Sequence, residues 1–288
     1  MIFGCGYLGR RVARAWIDAG HEVLAVTRTQ KNAESFRQSG IQPVVADICD
    51  PDSLAILPEV DLIFYAVGFD RNSGRSHKEV TCGGLRNVLS SINGRCRRFI
   101  YVSSTSVFGQ SAGEWVDESS ECKPTQPGGQ NCIEAERLVW EYFPNSDVTN
   151  ANVLRLAGIY GPERLLSRIE SIRAGLSVAG RGDSWLNLIH VDDAASAVLA
   201  CEKTGAPFET YVVVDDLPVL RSEYYTKLAE LVGGPAPVFN PEEASARGSG
   251  GLNKRCSNKT LRERLKWTPA YPTIATGLPA SINSTTST

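Results

Sequence analysis

The sequence contains no apolar run of the roughly 18 residues that a membrane helix needs, and its N-terminus lacks the charged-then-apolar layout of a secretory signal. Positive charge is not in excess either. The 30 Lys and Arg stand against 32 Asp and Glu, for a formal net charge of -2 and a pI near 6.0. No general nucleic-acid binding is expected of it, since that needs a basic face to neutralise phosphates. Internal repeats and long low-complexity segments are missing as well. The eight cysteines (Cys5, Cys49, Cys82, Cys96, Cys122, Cys132, Cys201 and Cys256) include no CxxC pair and no histidines at zinc-ligand spacing, so no metal centre is expected. Reduced thiols in a cytoplasmic protein are the simplest reading. Cys122 and Cys132 can pair only if the loop between them folds back, which nothing in the sequence requires. What remains is 288 residues with 42% hydrophobic content, enough for a substantial core in one large domain, or in a domain with a smaller lobe.

Apolar runs and helical periodicities alternate along the chain. Ile2-Phe3 reads as a strand end. Leu8, Val12, Ala15, Trp16 and Ala19 then recur at helical spacing, with Gly20 as the cap. His21–Arg28, Pro43–Ile48, Asp61–Gly68, Arg98–Thr105 and Ala151–Gly161 read as strands. A polar helix to about Ser39 and helices over about Glu79–Ile92 and Glu134–Tyr142 lie between them. Strands that are continuous apolar runs, separated by helices, indicate an α/β fold: a Rossmann-type doubly wound parallel sheet covered on both faces. The first crossover should be right-handed, and a ligand should sit at the carboxyl ends of the strands. Only Met1–Phe3 precede the first turn. Either the true start lies upstream or the first strand is unusually short.

That first turn, Gly4-Cys5-Gly6-Tyr7-Leu8-Gly9, fits GxGxxG. Gly4 permits the tight turn, Gly6 lets backbone approach a pyrophosphate, and Gly9 allows close helix–sheet contact. Tyr7 and Leu8 open the helix whose free N–H groups face the anion. The second strand ends in Thr27-Arg28 rather than in the acidic residue that would bind a ribose 2′-hydroxyl of NAD. A hydroxyl and a cation suit the 2′-phosphate of NADP, so NADP is preferred over NAD, with a solvated surface arginine as the alternative. Asp47 and Ile48 are placed to flank the adenine, and Ala66, Val67 and Gly68 to line the ribose with backbone.

Four further stretches follow in order: VSSTSVFG (Val102–Gly109), LRLAGIYGP (Leu154–Pro162), NLIHVDDAASAVLA (Asn187–Ala200) and YVVVDD (Tyr211–Asp216). With the glycine turn they resemble the extended short-chain dehydrogenase/reductase superfamily, in its NAD-dependent epimerase/dehydratase group and most of all its atypical members. The resemblance runs from Met1 to about Leu278. It implies a Rossmann domain over residues 1–156, with 187–216 returning to it. A small C-terminal lobe would take 157–186 and 217–278 and bind a substrate, often a nucleotide sugar. The polar tail, 279–288, is expected to be disordered. A homodimer is a further expectation from the family.

The resemblance also implies a Ser/Thr–Tyr–Lys active site. Ser104 matches the hydroxyl that holds the reacting oxygen, its alternative being a strand-end hydroxyl that satisfies local backbone. The tyrosine and lysine should stand just before Ile133-Glu134-Ala135-Glu136-Arg137-Leu138, yet Gly128 and Cys132 occupy their places, and no tyrosine lies between Phe108 and Tyr142. The Tyr–Lys pair is therefore absent. Cys132 can donate a proton if the following helix N-terminus depresses its pKa; the simpler reading is a small half-buried residue. Asn131 reads as a helix N-cap, and Glu134 and Glu136 as first-turn charges. His190-Val191-Asp192-Asp193 reads as a helix entry capped by an aspartate rather than as a metal site. Tyr224, Leu228 and Leu231 share an apolar helix face suited to a core. The basic cluster Lys254, Arg255, Lys259, Arg262 and Arg264 faces either a phosphorylated substrate or solvent. Two functions fit these residues: an NAD(P)-dependent oxidoreductase or epimerase with a non-standard active site, and a non-catalytic NADP-binding redox sensor or regulatory protein.

Overall fold

A computed structural model describes residues 1–92, 96–143, 150–243 and 252–286. Seven strands form one parallel sheet: β1 (Ile2–Phe3), β2 (Leu24–Thr27), β3 (Gln42–Val45), β4 (Leu62–Tyr65), β5 (Arg98–Ser104), β6 (Asn150–Leu156) and β7 (Thr210–Val213). Their spatial order is β7-β6-β5-β4-β1-β2-β3, so the chain winds outward in both directions from β1. The short β1 is central: Ile2 pairs with Ala25 on one side and with Phe64 on the other.

Successive strand side chains alternate between two apolar layers. Ile2, Phe64, Ile100 and Leu154 pack against α1 (Tyr7–Asp18), α2 (Gln30–Gln38) and α6 (Val191–Thr204) through Val12, Trp16, Phe36 and Val198. Phe3, Ile63, Tyr65 and Phe99 face the other way, against α3 (Gly84–Ile92) and α4 (Pro127–Tyr142) through Leu85, Val88, Ala135 and Val139. Both faces are covered, which is why the strands carry no polar alternation.

Several boundaries differ from the sequence reading, each for a local reason. The expected helix over Glu79–Ile92 opens with a π-helical turn, Glu79–Gly83, before α3 begins. Helix α4 starts at Pro127, seven residues before Glu134, because proline at the first helical position has no N–H to leave unpaired. His190, not an aspartate, caps α6: its Nδ1 accepts from the Asp192 N–H at 3.3 Å.

A third apolar cluster joins α5 (Leu166–Arg173), α7 (Arg221–Val232) and the C-terminal helix through Ile169, Ile172, Tyr224, Leu228 and Leu278, with Leu231 packed at its edge. The face Tyr224, Leu228, Leu231 is thus core. Cys256, Leu261, Leu265 and Trp267, grouped with the lobe by the sequence reading, pack instead on the first face of the sheet, alongside α8 (Lys259–Leu265). The tail also departs from expectation. Helix α9 (Ile274–Thr286) continues through most of the segment expected to be disordered, anchored by the fully buried Leu278 and Ser281, whose hydroxyl donates to Gly277 O. Residues 287–288 lie outside the described residues. No helix among the described residues is long and apolar enough to cross a membrane.

Candidate dinucleotide and active site

One cavity of about 580 Å³ opens at the carboxyl ends of β1, β2, β4 and β5. Of the residues singled out for cofactor binding, Gly4, Gly6, Tyr7, Leu8, Thr27, Arg28, Asp47, Ile48, Ala66, Val67 and Gly68 line it; Gly9 does not, and packs against Gly4 O beneath the turn. Ser104 lines the same cavity.

The three glycines have distinct physical roles. Gly4 has φ +87°, and a Cβ there would lie 2.3 Å from Ala66 O, so only glycine fits between β1 and β4. A Cβ on Gly9 would lie 2.6 Å from Gly4 O, which closes α1 onto the turn. Nothing lies within 4 Å of a Cβ on Gly6. That residue is the N-cap of α1 and has no capping side chain. The helix therefore presents open N–H groups and its positive end to the cavity, a cradle that fits the diphosphate of a dinucleotide.

Tyr7 leans away from the turn toward the lobe. Its hydroxyl donates to Pro162 O at 2.6 Å, and its ring lies between the guanidinium groups of Arg11 and Arg164, at 4.3 and 4.6 Å from the ring centroid. Burial raises its pKa to about 12, so it stays protonated. At the other end of the cradle, Arg28 is half-exposed and pairs with Asp70 at 3.4 Å. Thr27 is buried, and its Oγ1 accepts from the Thr29 N–H. Asp47 accepts from the Cys49 N–H and pairs with Arg75 at 3.1 Å. Asn32, Arg75, His77 and Arg164 also line the cavity and were missed in the sequence. The one signal for Arg75 and His77 is their place in the loop that follows β4 on the ligand side.

Ser104 ends β5, and its Oγ accepts from the Ser106 N–H at 3.1 Å. That contact uses an oxygen lone pair and leaves the O–H proton for an incoming oxygen. Helix α4 passes beside it. Cys132 lies in the second turn of α4, away from its N-terminus, and burial raises its pKa; the contacts from Ser106 and Ser103 only partly offset this. The thiol is therefore not activated, which removes the condition under which it was to donate a proton. Asn131 is not a cap: its amide Nδ2 lies 2.6 Å from His77 Nδ1. Glu134 pairs with Lys78 at 2.7 Å. Glu136 is no first-turn surface charge either. It is buried, holds Arg155 through two bonds of 3.1 and 2.8 Å, and accepts from Ser103 Oγ at 2.5 Å. No disulfide forms, and Cys122 and Cys132 remain separate thiols.

The basic cluster is dispersed by its own partners. Lys254 is buried and donates to Phe108 O, and Arg255 lies between the Trp115 and Trp185 rings. Lys259, Arg262 and Arg264 pair with Glu263, Asp216 and Glu209. Among the described residues no group of three His, Cys, Asp or Glu is arranged to hold a metal.

Comparison with known proteins agrees with this geometry. The sequence profile of the NAD dependent epimerase/dehydratase family matches residues 1–213. The chain is 28% identical over 252 residues to Protein YeeZ of Escherichia coli K12, covering 86% of this chain and 88% of that protein. A solved structure of a functionally unknown conserved protein from Silicibacter pomeroyi is 29% identical with a TM-score of 0.80, over 98% of this chain and 97% of that one. The UDP-glucuronic acid 4-epimerase of Bacillus cereus, solved with UDP-glucuronic acid and NAD, shares the fold. It has a TM-score of 0.82 at 18% identity, over 99% of this chain and 98% of its own. With the glycine cradle, the doubly wound sheet and a profile match across most of its length, the chain belongs to the NAD-dependent epimerase/dehydratase family.

Proposed function

We propose that the protein is an NAD(P)-dependent oxidoreductase or epimerase acting on a nucleotide sugar or a similar hydroxylated compound, with NADP preferred. The observation that carries this reading is the shared cavity. One open space holds both the glycine cradle and, at the end of β5, a serine whose hydroxyl proton has no acceptor among the described residues. A bound dinucleotide supplies the hydride acceptor or donor. The chain's own groups do the rest. The α1 N-terminus and the Gly4–Gly9 backbone hold the diphosphate. Asp47 and Ile48 border the adenine, and the Ala66–Gly68 backbone borders the ribose. Ser104 donates to the reacting oxygen and keeps its carbon in place. The lobe built around α5, α7 and α9 binds the substrate beside this cavity. Arg28 supports the NADP preference: a 2′-phosphate offers it more charge than its present partner, Asp70, does. The eight unbridged cysteines support a reducing, cytoplasmic setting.

The test is a titration of NADPH and NADH emission on the purified protein, followed by turnover assays with UDP- and dTDP-sugars. Tight cofactor binding with reduction, oxidation or isomerisation of one of these sugars supports the reading. Binding without turnover across that panel favours the regulatory alternative.

A further inference from the structure

The reaction needs a group that takes and returns the proton on the reacting oxygen, and the family's Tyr–Lys pair is absent. The titratable side chains around the cavity narrow the choice. Asp47 and Asp70 are committed to Arg75 and Arg28. Cys5 and Tyr101 are buried and Tyr7 and Cys132 partly so, and desolvation pushes each toward its protonated form. His77 is different. It lines the cavity and is half-buried, and burial lowers its pKa below the ordinary imidazole value, which favours the neutral ring.

Two contacts hold the ring, and two more tie the segment after it to α4. The ring meets Phe69 edge-on at 4.9 Å between centroids, and Nδ1 lies 2.6 Å from the amide of Asn131. The neighbouring Lys78 pairs with Glu134, and Cys82 Sγ donates to Asn131 O at 3.5 Å. The segment that follows the imidazole is thereby tied to α4. Asn131 and Gly128 are three residues apart in α4 and so share a helix face. A Cβ on Gly128 would meet nothing within 4 Å. The imidazole therefore stands beside a face of α4 that glycine leaves open, with one nitrogen held and no bonded partner for the other among the described residues.

We propose that His77 is the proton-transfer group of this active site, oriented by Asn131. The inference rests on the reading of the protein as a dinucleotide-dependent enzyme. In the oxidative direction the substrate O–H bond breaks and its proton goes to Nε2, so that imidazole becomes imidazolium. The C–H bond breaks as a hydride, whose two electrons reduce the dinucleotide, and the oxidised carbon becomes C=O. Reduction reverses each change. The role needs the Asn131 carbonyl oxygen to accept from Nδ1–H, which leaves Nε2 bare in the neutral ring. A half-turn of the amide about its terminal torsion provides this, since its O and N ends are interchangeable in shape. The charged groups on the elements that carry and pack against the ring are Arg75, Lys78 and Glu79 on its own segment, Asp70 in the preceding loop and Glu134 on α4, and each is paired: Arg75 with Asp47 and Glu79, Lys78 with Glu134, Asp70 with Arg28.

The experiment is the pH dependence, from pH 5 to 9, of bound NADH emission in wild type, His77→Gln and Asn131→Asp, with NADH affinity measured at each pH. The wild-type complex is expected to show a transition below the ordinary imidazole value of about 6.5. In His77→Gln the transition should disappear while affinity at pH 8 stays within about twofold. A carboxylate at 131 can only accept from Nδ1–H and favours imidazolium, so the Asn131→Asp transition should rise by about one pH unit. With any sugar substrate that the wild type turns over, His77→Gln should lose about 10²–10⁴-fold in kcat. A transition that persists in His77→Gln, or that Asn131→Asp leaves in place, overturns the proposal alone. A wild type that binds no NADH overturns the enzyme reading, and this proposal with it.

Discussion

At the scale of single residues, close approach and buried charge decide most. Gly4 sits where β1 and β4 leave no room for a Cβ, in a backbone conformation that L-residues avoid. Gly4→Ala is therefore expected to cost about 2 kcal/mol or more and to weaken dinucleotide binding, read by urea unfolding and by NADPH titration. Gly6 should behave in the opposite way. Gly6→Ala has room in the free protein, so stability should hold while affinity falls, because the methyl group occupies the space of the diphosphate. Glu136 and Arg155 form an ion pair whose side chains are only 5% and 10% exposed. Glu136→Ala leaves a buried guanidinium uncompensated and should cost about 3–5 kcal/mol. Replacing both, as Glu136→Leu with Arg155→Met, should cost much less than Glu136→Ala alone. A double variant as unstable as the single one would show that the pair itself, rather than its desolvation, carries the energy.

At the scale of elements, α4 carries most of what is new in this protein. It begins seven residues earlier than its apolar periodicity suggests, because Pro127 and the two glycines after it hide the first turn from a reading based on side-chain pattern. Gly129 is required there: its Cβ would lie 2.3 Å from Ser106 O. Gly128 has no such constraint. Gly128→Ala should stabilise the protein by about 0.5–1 kcal/mol, visible as a higher urea midpoint at unchanged slope. Helix α2 offers a control of ordinary size. Thr29 Oγ1 accepts from the Asn32 N–H at the helix start, and Thr29→Ala should cost about 1 kcal/mol.

At the scale of the whole molecule, the sheet and the lobe meet around Asp215. Its carboxylate accepts from the His190 N–H at 3.2 Å and from the Tyr160 hydroxyl at 3.2 Å. Burial raises its pKa from 3.8 to about 8. A carboxyl whose folded pKa lies above its unfolded value favours folding fully below pH 3.8, and that contribution is lost as pH rises through 8. Asp215→Asn removes this dependence. Relative to wild type it should gain stability steadily from pH 5 to about pH 8 and level off above that, measured as the difference in urea midpoints; a constant difference from pH 5 to pH 8 would mean that the folded carboxyl is not shifted. Dinucleotide at a hundredfold its Kd should add about 2.7 kcal/mol to either protein.

Much of this molecule was legible in the chain itself. The strand runs, the GxGxxG turn and the residues after each strand determined the doubly wound sheet, and with it the place of Gly4, Arg28, Asp47, Ala66 and Ser104 around one cavity. These are local patterns: period, turn chemistry and the ends of strands carry them. Gly128 and Cys132, just before Ile133–Leu138 where the resemblance implies a tyrosine and a lysine, were equally legible. The structure alone decided how α4 is joined to its neighbours. His77 reaches Asn131 across 54 residues of sequence, Glu136 is buried by Arg155 and Ser103 rather than solvated, and Arg255, Arg262 and Arg264 of the basic cluster are taken up by tryptophans and carboxylates from other elements. Contacts of that range leave no periodic trace, because each depends on the packing of helices against the sheet and not on spacing along any one of them.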